Sequence, residues 1–306
     1  MKVLIATQKP FAAAAVKGIR EILENAGNEV VLLEKYPGED ELVAAVADAE
    51  AMIVRSDKVT ARVLDAAPKL KIVVRAGAGF DNVDLAAATA HGVVVENTPG
   101  QNSNAVAELA IAMMIFMCRN QFTPATGSEI QGKRIGIQAF GNVGRLVGKK
   151  AEALGLKVLA VDPFIPAEKI AEAGAQPVGS VAELYASSDF VSVHIPATPE
   201  TIGSIGYDLI TSMPKGAVLV NTARKEVIDE AGLEKALEDR PDIKYVTDVA
   251  PDNYAALQEK FGLRAFATPK KMGAQTSEAN VNAGLAAARQ IVAFFTEGCT
   301  RFQVNR

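Results

Sequence analysis

A glycine-rich turn near the middle of the chain has the residue types that bind nucleotide phosphates. It reads Ala139-Phe140-Gly141-Asn142-Val143-Gly144 and directly follows the apolar stretch Arg134–Gln138. Gly141 allows backbone to approach a pyrophosphate, Gly144 allows a helix to pack closely on a strand, and the helix start supplies N–H donors. Ala139 stands where such a turn usually has its first glycine. Strand, turn and helix in this order predict a dinucleotide site.

A carboxylate follows at the distance expected for ribose recognition. Asp162 comes eighteen residues after Gly144 and closes the next predicted strand. There it can accept hydrogen bonds from the adenosine ribose and repel a 2′-phosphate, so NAD is favoured over NADP. The alternative is that the two glycines only make a tight turn and that Asp162 caps the segment before Pro163.

A cluster of cations and small residues in the first part of the chain predicts an anion site. Arg55 and Arg75 both stand at the carboxyl ends of predicted strands, where open α/β sheets bind ligands. Ser56 and Lys58 beside Arg55 suit a phosphate, and backbone N–H groups around Ala78 and Gly79 suit a carboxylate. A three-carbon acid that carries a phosphate would satisfy both. The alternative is that the arginines are solvated charges paired with nearby acids.

The elements that must position these groups alternate regularly. Short β-branched runs alternate with alanine-rich helical stretches, which implies right-handed crossovers and parallel sheets. We therefore predict an α/β protein with two doubly wound parallel-sheet domains. The predicted strands are 3–6, 30–33, 52–54, 72–74 and 93–95, and then 134–138, 158–161, 190–194, 218–221, 245–248 and 265–267.

Two long helices set the predicted domain limits. One, at about 105–119, leads into a segment at 120–127 whose proline and glycine suit a linker. The last, at about 277–295, is too long and apolar to end the chain unattached, so we expect it to pack on the first domain. We predict a discontinuous substrate domain of residues 1–100 and 282–306 and a nucleotide domain of residues 101–281.

Composition excludes several classes of partner. The 32 basic and 36 acidic residues give a net charge of −4, which provides neither a basic face for nucleic acid nor a polybasic membrane anchor. The longest apolar run, 109–118, is too short to span a bilayer. Cys118 and Cys299 predict neither a disulfide framework nor a metal site, which suits a reducing cytoplasm.

Seven further segments of the chain have a recognisable pattern: Val54-Arg55-Ser56, residues 74–84, Asn97-Thr98-Pro99, residues 105–109, Asp162-Pro163, residues 193–196 and Asn221-Thr222-Ala223-Arg224. On these segments the chain resembles the D-2-hydroxyacid dehydrogenase family over nearly its whole length. This resemblance implies a flavodoxin-like substrate domain, a Rossmann domain that binds NAD, and a homodimer formed through the NAD domains. With the anion cluster it implies oxidation of 3-phosphoglycerate, the first step of phosphorylated serine synthesis. Because the chain ends just after its last helix, we expect the short, unregulated form.

The expected catalytic group departs from the family pattern. The resemblance implies an arginine, here Arg224, that holds the carboxylate, then a glutamate, then a histidine as acid/base. The last segment instead reads Thr268-Pro269-Lys270-Lys271-Met272-Gly273, one residue longer and without histidine. Counting forward selects Lys270, whereas counting back from the glycine selects Lys271, which we prefer. Asp252 is the nearest acid to orient the lysine, and Asn253 is the alternative alignment.

The remaining predicted roles concern the cofactor. Of the two histidines, we expect His91 to be structural and His194 to line the nicotinamide pocket. If Lys270 and Lys271 are only solvated loop charges, the chain could be a non-enzymatic NAD(H)-binding protein; another D-2-hydroxy acid, of the glycerate or glyoxylate type, is a further alternative substrate. The predicted cofactor-binding residues are Gly141, Asn142, Val143, Gly144, Asp162, His194, Pro196, Thr222 and Asp248.

Overall fold

The computed structural model describes residues 1–305, which form two compact units. Unit 1 comprises residues 1–102 together with the residues from 275 onward, and unit 2 comprises residues 103–274. The last helix thus belongs to the same unit as the first strand.

The elements of both units alternate between strand and helix. The strands are β1 (Lys2–Thr7), β2 (Glu29–Glu34), β3 (Ala51–Val54), β4 (Ile72–Arg75), β5 (Val94–Asn97), β6 (Arg134–Gln138), β7 (Lys157–Val161), β8 (Gln176–Pro177), β9 (Phe190–Val193), β10 (Val218–Asn221), β11 (Lys244–Thr247) and β12 (Ala265–Ala267). The helices are α1 (Ala13–Asn25), α2 (Glu39–Val46), α3 (Ala61–Asp65), α4 (Leu85–Ala90), α5 (Ser103–Cys118), α6 (Asn142–Ala153), α7 (Ala167–Glu172), α8 (Val181–Ala186), α9 (Tyr207–Ser212), α10 (Glu230–Asp239), α11 (Tyr254–Phe261) and α12 (Ser277–Glu297).

Unit 1 is built on a five-stranded parallel sheet in the order β2-β1-β3-β4-β5. Side chains alternate between the two faces of a strand, and both faces are covered here. In β1, Val3 and Ile5 share a core with α1 and α12, whereas Leu4 and Ala6 share a core with α2, α3 and α4. The strand order reverses between β1 and β3, which is where doubly wound sheets bind ligands.

Unit 2 is built on a seven-stranded parallel sheet in the order β12-β11-β10-β9-β6-β7-β8. Helices α5 and α6 cover one face, and α8 to α11 cover the other. The strand order reverses between β6 and β9, so the glycine-rich turn after β6 lies at the switch point. Within residues 1–305, no helix has both the length and the apolar character needed to cross a membrane.

The predicted fold class is confirmed: the chain contains two doubly wound parallel α/β sheets. Each predicted strand is present, with ends that differ by at most two residues. The one strand missed is β8, because a two-residue strand has no detectable apolar period.

Candidate active site

The turn after β6 places an alanine in a conformation that favours glycine. Ala139 has φ +74°, in the left-handed region. This backbone costs a non-glycine residue about 1–2 kcal/mol. The N–H of Ala139 donates to the carbonyl of Val161 on the neighbouring strand, at 2.9 Å, which helps to hold the strained residue in place. Ala139 therefore stands at the position of the first glycine and has the left-handed backbone that favours glycine there.

The two glycines of the turn serve different purposes. A Cβ on Gly144 would lie 2.2 Å from the carbonyl oxygen of Ala139, so α6 can approach β6 this closely only without a side chain. A Cβ on Gly141 would have no protein atom within 4 Å. Gly141 precedes the first residue of α6, whose first-turn N–H groups have no partners within the helix. Open space beside free N–H donors at a helix start fits a pyrophosphate.

Asp162 ties this turn to the chain after β7. Its Oδ2 accepts from the N–H of Phe140 and its Oδ1 from the N–H of Phe164, both at 2.8 Å. Asp162 therefore does cap the segment that follows β7, as the alternative interpretation expected. Because each carboxylate oxygen has two lone pairs, the side chain still has capacity to accept from ribose hydroxyls. One residue can therefore shape the turn and recognise a ribose.

Three more predicted cofactor residues follow strands of the same sheet. Thr222, directly after β10, is buried, and its hydroxyl has no hydrogen-bond partner within residues 1–305. His194 directly follows β9, and its Nε2 lies 3.0 Å from the hydroxyl oxygen of Ser192. Burial lowers the pKa of His194 to about 3, so its ring is neutral near pH 7. Pro196 lies exposed beyond it.

Arg224 is held by a turn that Asn221 organises. The Asn221 side chain accepts from the N–H of Ala223 and donates to the carbonyl of Arg224, both at 2.9 Å. Asn221 is completely buried at the end of β10. The guanidinium of Arg224 also donates to the carbonyl of Ala223 at 3.0 Å. The half-buried arginine therefore starts from a fixed backbone, as a substrate-orienting cation requires.

The lysine segment follows β12 and contacts Asp248, a residue predicted to bind the cofactor. Asp248 is 1% exposed, and its carboxylate accepts from the hydroxyl of Thr268 and from the N–H groups of Met272 and Gly273, at 2.7–2.9 Å. Lys270 and Lys271 are exposed between these anchor points. Sequence analysis did not single out Thr268 as an anchor.

Asp252, predicted to orient the lysine, contacts a different cation. Its Oδ1 lies 2.5 Å from Nζ of Lys225, and the side chain of Asp252 is 79% exposed. The ion pair raises the pKa of Lys225. Glu230 accepts from the backbone N–H groups of Asp252 and Asn253, and the side-chain Oδ1 of Asn253 is buried without a partner in the described chain. The role of Asp252 toward Lys271 stays a prediction that this contact does not support.

In unit 1 the two arginines of the predicted anion site lie at the ends of neighbouring strands, Arg55 directly after β3 and Arg75 as the last residue of β4. Val54 pairs with Arg75 across β3 and β4, and Nε of Arg75 donates to the carbonyl of Arg55 at 2.9 Å. A Cβ on Gly77 would lie 1.5 Å from Nη1 of Arg75, so only glycine permits this placement.

Arg55 is not the solvated charge of the alternative interpretation. Its Nη1 donates to the carbonyls of Lys9 and Pro10 at 3.0 Å, its Nη2 donates to Oδ1 of Asn280 at 2.6 Å, and its Cζ lies 5.0 Å from the ring centre of Phe11. Desolvation lowers its pKa. These bonds use three of the five guanidinium donors, so two stay available for an anion.

Ser56 and Lys58 face a cavity of about 360 Å³ in unit 1. The buried carboxylate of Asp57 lies between them in sequence and accepts from the N–H of Gln8 and the hydroxyl of Tyr36, at 2.6 and 2.7 Å. Burial and Asp57 raise the pKa of Tyr36 far above its usual range. Sequence analysis missed Asp57, because a buried acid between two polar residues has no distinctive pattern. The lining residues are Gln8, Tyr36, Glu39, Leu42, Ser56, Lys58 and Thr60.

The glycine-rich loop after β4 is also anchored from within unit 1. The Asn97 side chain donates to the carbonyl of Ala78 at 2.6 Å, and the N–H of Thr98 donates to the carbonyl of Gly77 at 2.9 Å. These bonds hold the loop that carries Ala78 and Gly79, whose binding of a carboxylate through backbone N–H groups stays a prediction.

Comparison with known proteins agrees with this geometry. Residues 111–268, just over half of the chain, match the family described as D-isomer specific 2-hydroxyacid dehydrogenase, NAD binding domain. A D-3-phosphoglycerate dehydrogenase from Mycobacterium tuberculosis is 38% identical over 83% of this chain and 51% of its own length. One from Archaeoglobus fulgidus is 37% identical over 95% and 57%. The chain spans about half the length of these relatives.

Solved structures extend the likeness to the whole chain. The NAD⁺-bound 3-phosphoglycerate dehydrogenase of Entamoeba histolytica is 49% identical, covers 100% of this chain and 99% of its own, and has a TM-score of 0.90. D-2-hydroxyisocaproate dehydrogenase, 19% identical with a TM-score of 0.83, shares the fold. The chain belongs to the D-isomer specific 2-hydroxyacid dehydrogenase family and contains its NAD-binding domain.

Proposed function

We propose that this protein oxidises 3-phospho-D-glycerate to 3-phosphohydroxypyruvate with NAD, which would be the first step of phosphorylated serine synthesis. The observation that carries the proposal is the 49% identity, over nearly the whole of both chains, with the NAD⁺-bound 3-phosphoglycerate dehydrogenase of E. histolytica. The anion-binding residues of unit 1 support the same substrate.

The residues after β6, β7, β9 and β10 fit NAD. The open space at Gly141 and the N–H groups of α6 would hold the pyrophosphate, and the remaining lone pairs of Asp162 would accept from the ribose. The unpartnered hydroxyl of Thr222 is a further polar group that a ligand would satisfy. When bound, NAD accepts the hydride from C2 of the substrate.

One group must accept the C2 hydroxyl proton and another must hold the substrate carboxylate, and unit 2 contains candidates for both roles. We propose that Lys271 accepts the C2 hydroxyl proton and that Arg224 holds the carboxylate and the C2 oxygen. A lysine serves as a base near neutral pH only if partial desolvation or neighbouring cations lower its pKa from about 10.4. Lys270, next in the chain, is one such cation. Proton and hydride then leave the substrate for different acceptors, and a ketone is left at C2.

Other residues support a phosphate group on the substrate and a cytoplasmic location of the protein. Arg55 keeps two guanidinium donors, and Ser56 and Lys58 follow it closely in the chain, which supports a phosphorylated substrate. Both cysteines are free thiols, which supports a reducing cytoplasm. We further propose a homodimer formed through unit 2, which light scattering coupled to size-exclusion chromatography would test.

One assay tests the substrate. NADH absorbance is followed with NAD and either 3-phosphoglycerate, unphosphorylated glycerate or lactate. Turnover with 3-phosphoglycerate and little with the other two is expected. Preference for glycerate or lactate would contradict the substrate assignment, and turnover with none of the three would instead favour a non-enzymatic NAD(H)-binding protein.

A set of three lysine variants tests the proton acceptor. Lys271→Ala should lower kcat by about two orders of magnitude. Lys215→Ala, at an exposed lysine elsewhere in unit 2, is the matched control and should keep wild-type turnover. Near-normal turnover of Lys271→Ala would rule the residue out, and a large loss in Lys270→Ala alone would assign the proton to Lys270.

A further inference from the structure

Asp248 contacts the segment that carries the two lysines on both sides of them. It follows β11, and its N–H donates to the carbonyl of Asn221 at the end of β10, at 3.0 Å. Its backbone is therefore fixed by the sheet. Its carboxylate is 1% exposed, so the bonds that it makes are shielded from water.

Three hydrogen bonds connect this carboxylate to the lysine segment. Oδ1 accepts from the hydroxyl of Thr268 at 2.8 Å and from the N–H of Met272 at 2.9 Å, and Oδ2 accepts from the N–H of Gly273 at 2.7 Å. Bonds to an ionised acceptor are roughly twice as strong as neutral ones. Thr268 precedes the lysines and Met272 follows them, so both ends of the segment are fixed to one side chain.

The packing around Gly273 leaves the segment little room to shift. A Cβ on Gly273 would lie 3.0 Å from Oδ2 of Asp248 and 3.3 Å from Cγ2 of Val106 on α5. The hydroxyl of Thr268 also lies 3.0 Å from the carbonyl of Lys270, so its single proton lies between two acceptors, the nearer of which is Asp248. The exposed part is thus a short bend between two fixed points.

We propose that Asp248 is a positioning residue for proton transfer, which places Lys271 by fixing the backbone of residues 268–273. This inference rests on the proposed function of Lys271. It is separate from the predicted cofactor contact of Asp248, and it gives to Asp248 the orienting role that sequence analysis assigned to Asp252. It acts through hydrogen bonds from the hydroxyl of Thr268 and from the backbone N–H groups of Met272 and Gly273.

Replacing Asp248 by asparagine tests the proposal with three measurements. An amide has one acceptor oxygen instead of two, so one of the three donors must lose its partner. Hydrogen exchange of the Met272 and Gly273 amides should become faster. Because a misplacement of about 1 Å can cost about 100-fold in rate, kcat per NADH-binding site should fall by about 10- to 100-fold. The Kd for NADH is measured in parallel, because a loss confined to cofactor affinity would point to a direct contact with NAD instead.

Asp189→Asn is the matched control. Asp189 also accepts from a backbone N–H, that of Arg134 at 2.8 Å, but it lies before β9 and away from the lysine segment. This variant should keep wild-type kcat and wild-type exchange at Met272 and Gly273. Thr268→Val, which removes only the hydroxyl bond, should give a smaller loss of kcat. If Asp248→Asn does not fold, Gly273→Ala perturbs the same anchor from the opposite side.

Each measurement can overturn the proposal. Unchanged exchange at Met272 and Gly273 would show that Asp248 does not fix the segment. Faster exchange with wild-type kcat per binding site would show that the anchoring is structural only. A loss confined to NADH affinity would make Asp248 a cofactor contact. Failure of the Lys271 assignment is recognised separately, because Lys271→Ala would then retain turnover while the exchange result is unaffected.

Discussion

Alanine substitutions at three glycines of unit 2 separate cofactor binding from folding in the turn after β6. A Cβ on Gly141 would meet no protein atom within 4 Å, one on Gly144 would lie 2.2 Å from a backbone oxygen, and one on Gly148 would lie 3.3 Å from two side-chain carbons. Gly141 has φ −75°, so alanine can adopt its backbone. The three positions thus differ in what the added methyl group would contact.

These distances predict a different effect on the free energy of unfolding at each of the three glycines. At Gly144 the methyl would overlap backbone that cannot move aside, so Gly144→Ala should lower the free energy of unfolding by about 1–3 kcal/mol. At Gly141 two effects of about 0.5–1 kcal/mol offset each other, since alanine is a poorer N-cap but restricts the unfolded chain. At Gly148 side chains can adjust, and alanine favours the helix by up to about 1 kcal/mol. Urea unfolding measures all three.

The expected effects on NADH affinity follow a different order from the expected effects on stability. The methyl of Gly141→Ala would occupy the space assigned to the pyrophosphate, so the Kd for NADH should rise by at least about tenfold, or about 1.4 kcal/mol. Gly148→Ala, seven residues or about two turns further along, should bind NADH as the wild type does. Fluorescence titration at equal folded fraction gives both values. If Gly141→Ala kept NADH affinity within about twofold of wild type, the turn would not be the pyrophosphate site.

Two further residues give one prediction each, Thr222 for NADH affinity and His194 for the pH dependence of stability. Thr222→Val removes a buried hydroxyl that has no partner in the described chain, so the free energy of unfolding should hold or rise while NADH affinity falls by about threefold to tenfold; a loss of stability with unchanged affinity would contradict this. The pKa of His194 is about 3 when folded, against 6.5 when unfolded. The unfolded chain therefore binds the extra proton between these values, and the stability that this residue contributes is complete above pH 6.5 and declines as pH falls toward 3. His194→Gln should show a smaller decline between pH 7 and pH 5 in urea unfolding, and an unchanged slope would refute the assignment.

The fold was predictable because its signals are local and repeated. The central residues of strands such as β1 and β6 are buried on both faces and contain no charged side chain, and helices follow these strands at regular intervals. The glycine-rich turn was predictable for the same reason, since strand, glycines and helix are adjacent in the chain. Even the left-handed Ala139 could be placed by its position in this motif, although its residue type argued against it.

Side-chain roles that depend on distant partners were less predictable. Sequence analysis identified Arg55 as a candidate to hold an anion, but it could not predict that the same side chain donates to the carbonyls of Lys9 and Pro10 and to Asn280, which is 225 residues away. Asp252 was chosen as the acid nearest the family position, whereas the structure pairs it with Lys225. Charge and spacing identify candidates, but the contact that a long side chain makes depends on tertiary packing.

Asp248 shows why such a role has no sequence signature. Two of its three hydrogen-bond donors are backbone N–H groups of Met272 and Gly273, and any residue except proline supplies that donor. Only Gly273 is restricted by type, because a Cβ there would crowd Asp248 and Val106. A lysine in place of a histidine is longer and more flexible, so its ammonium can be placed reproducibly only if its backbone is fixed. A buried carboxylate that binds the segment on both sides of the lysines meets that requirement, whichever of the two lysines transfers the proton.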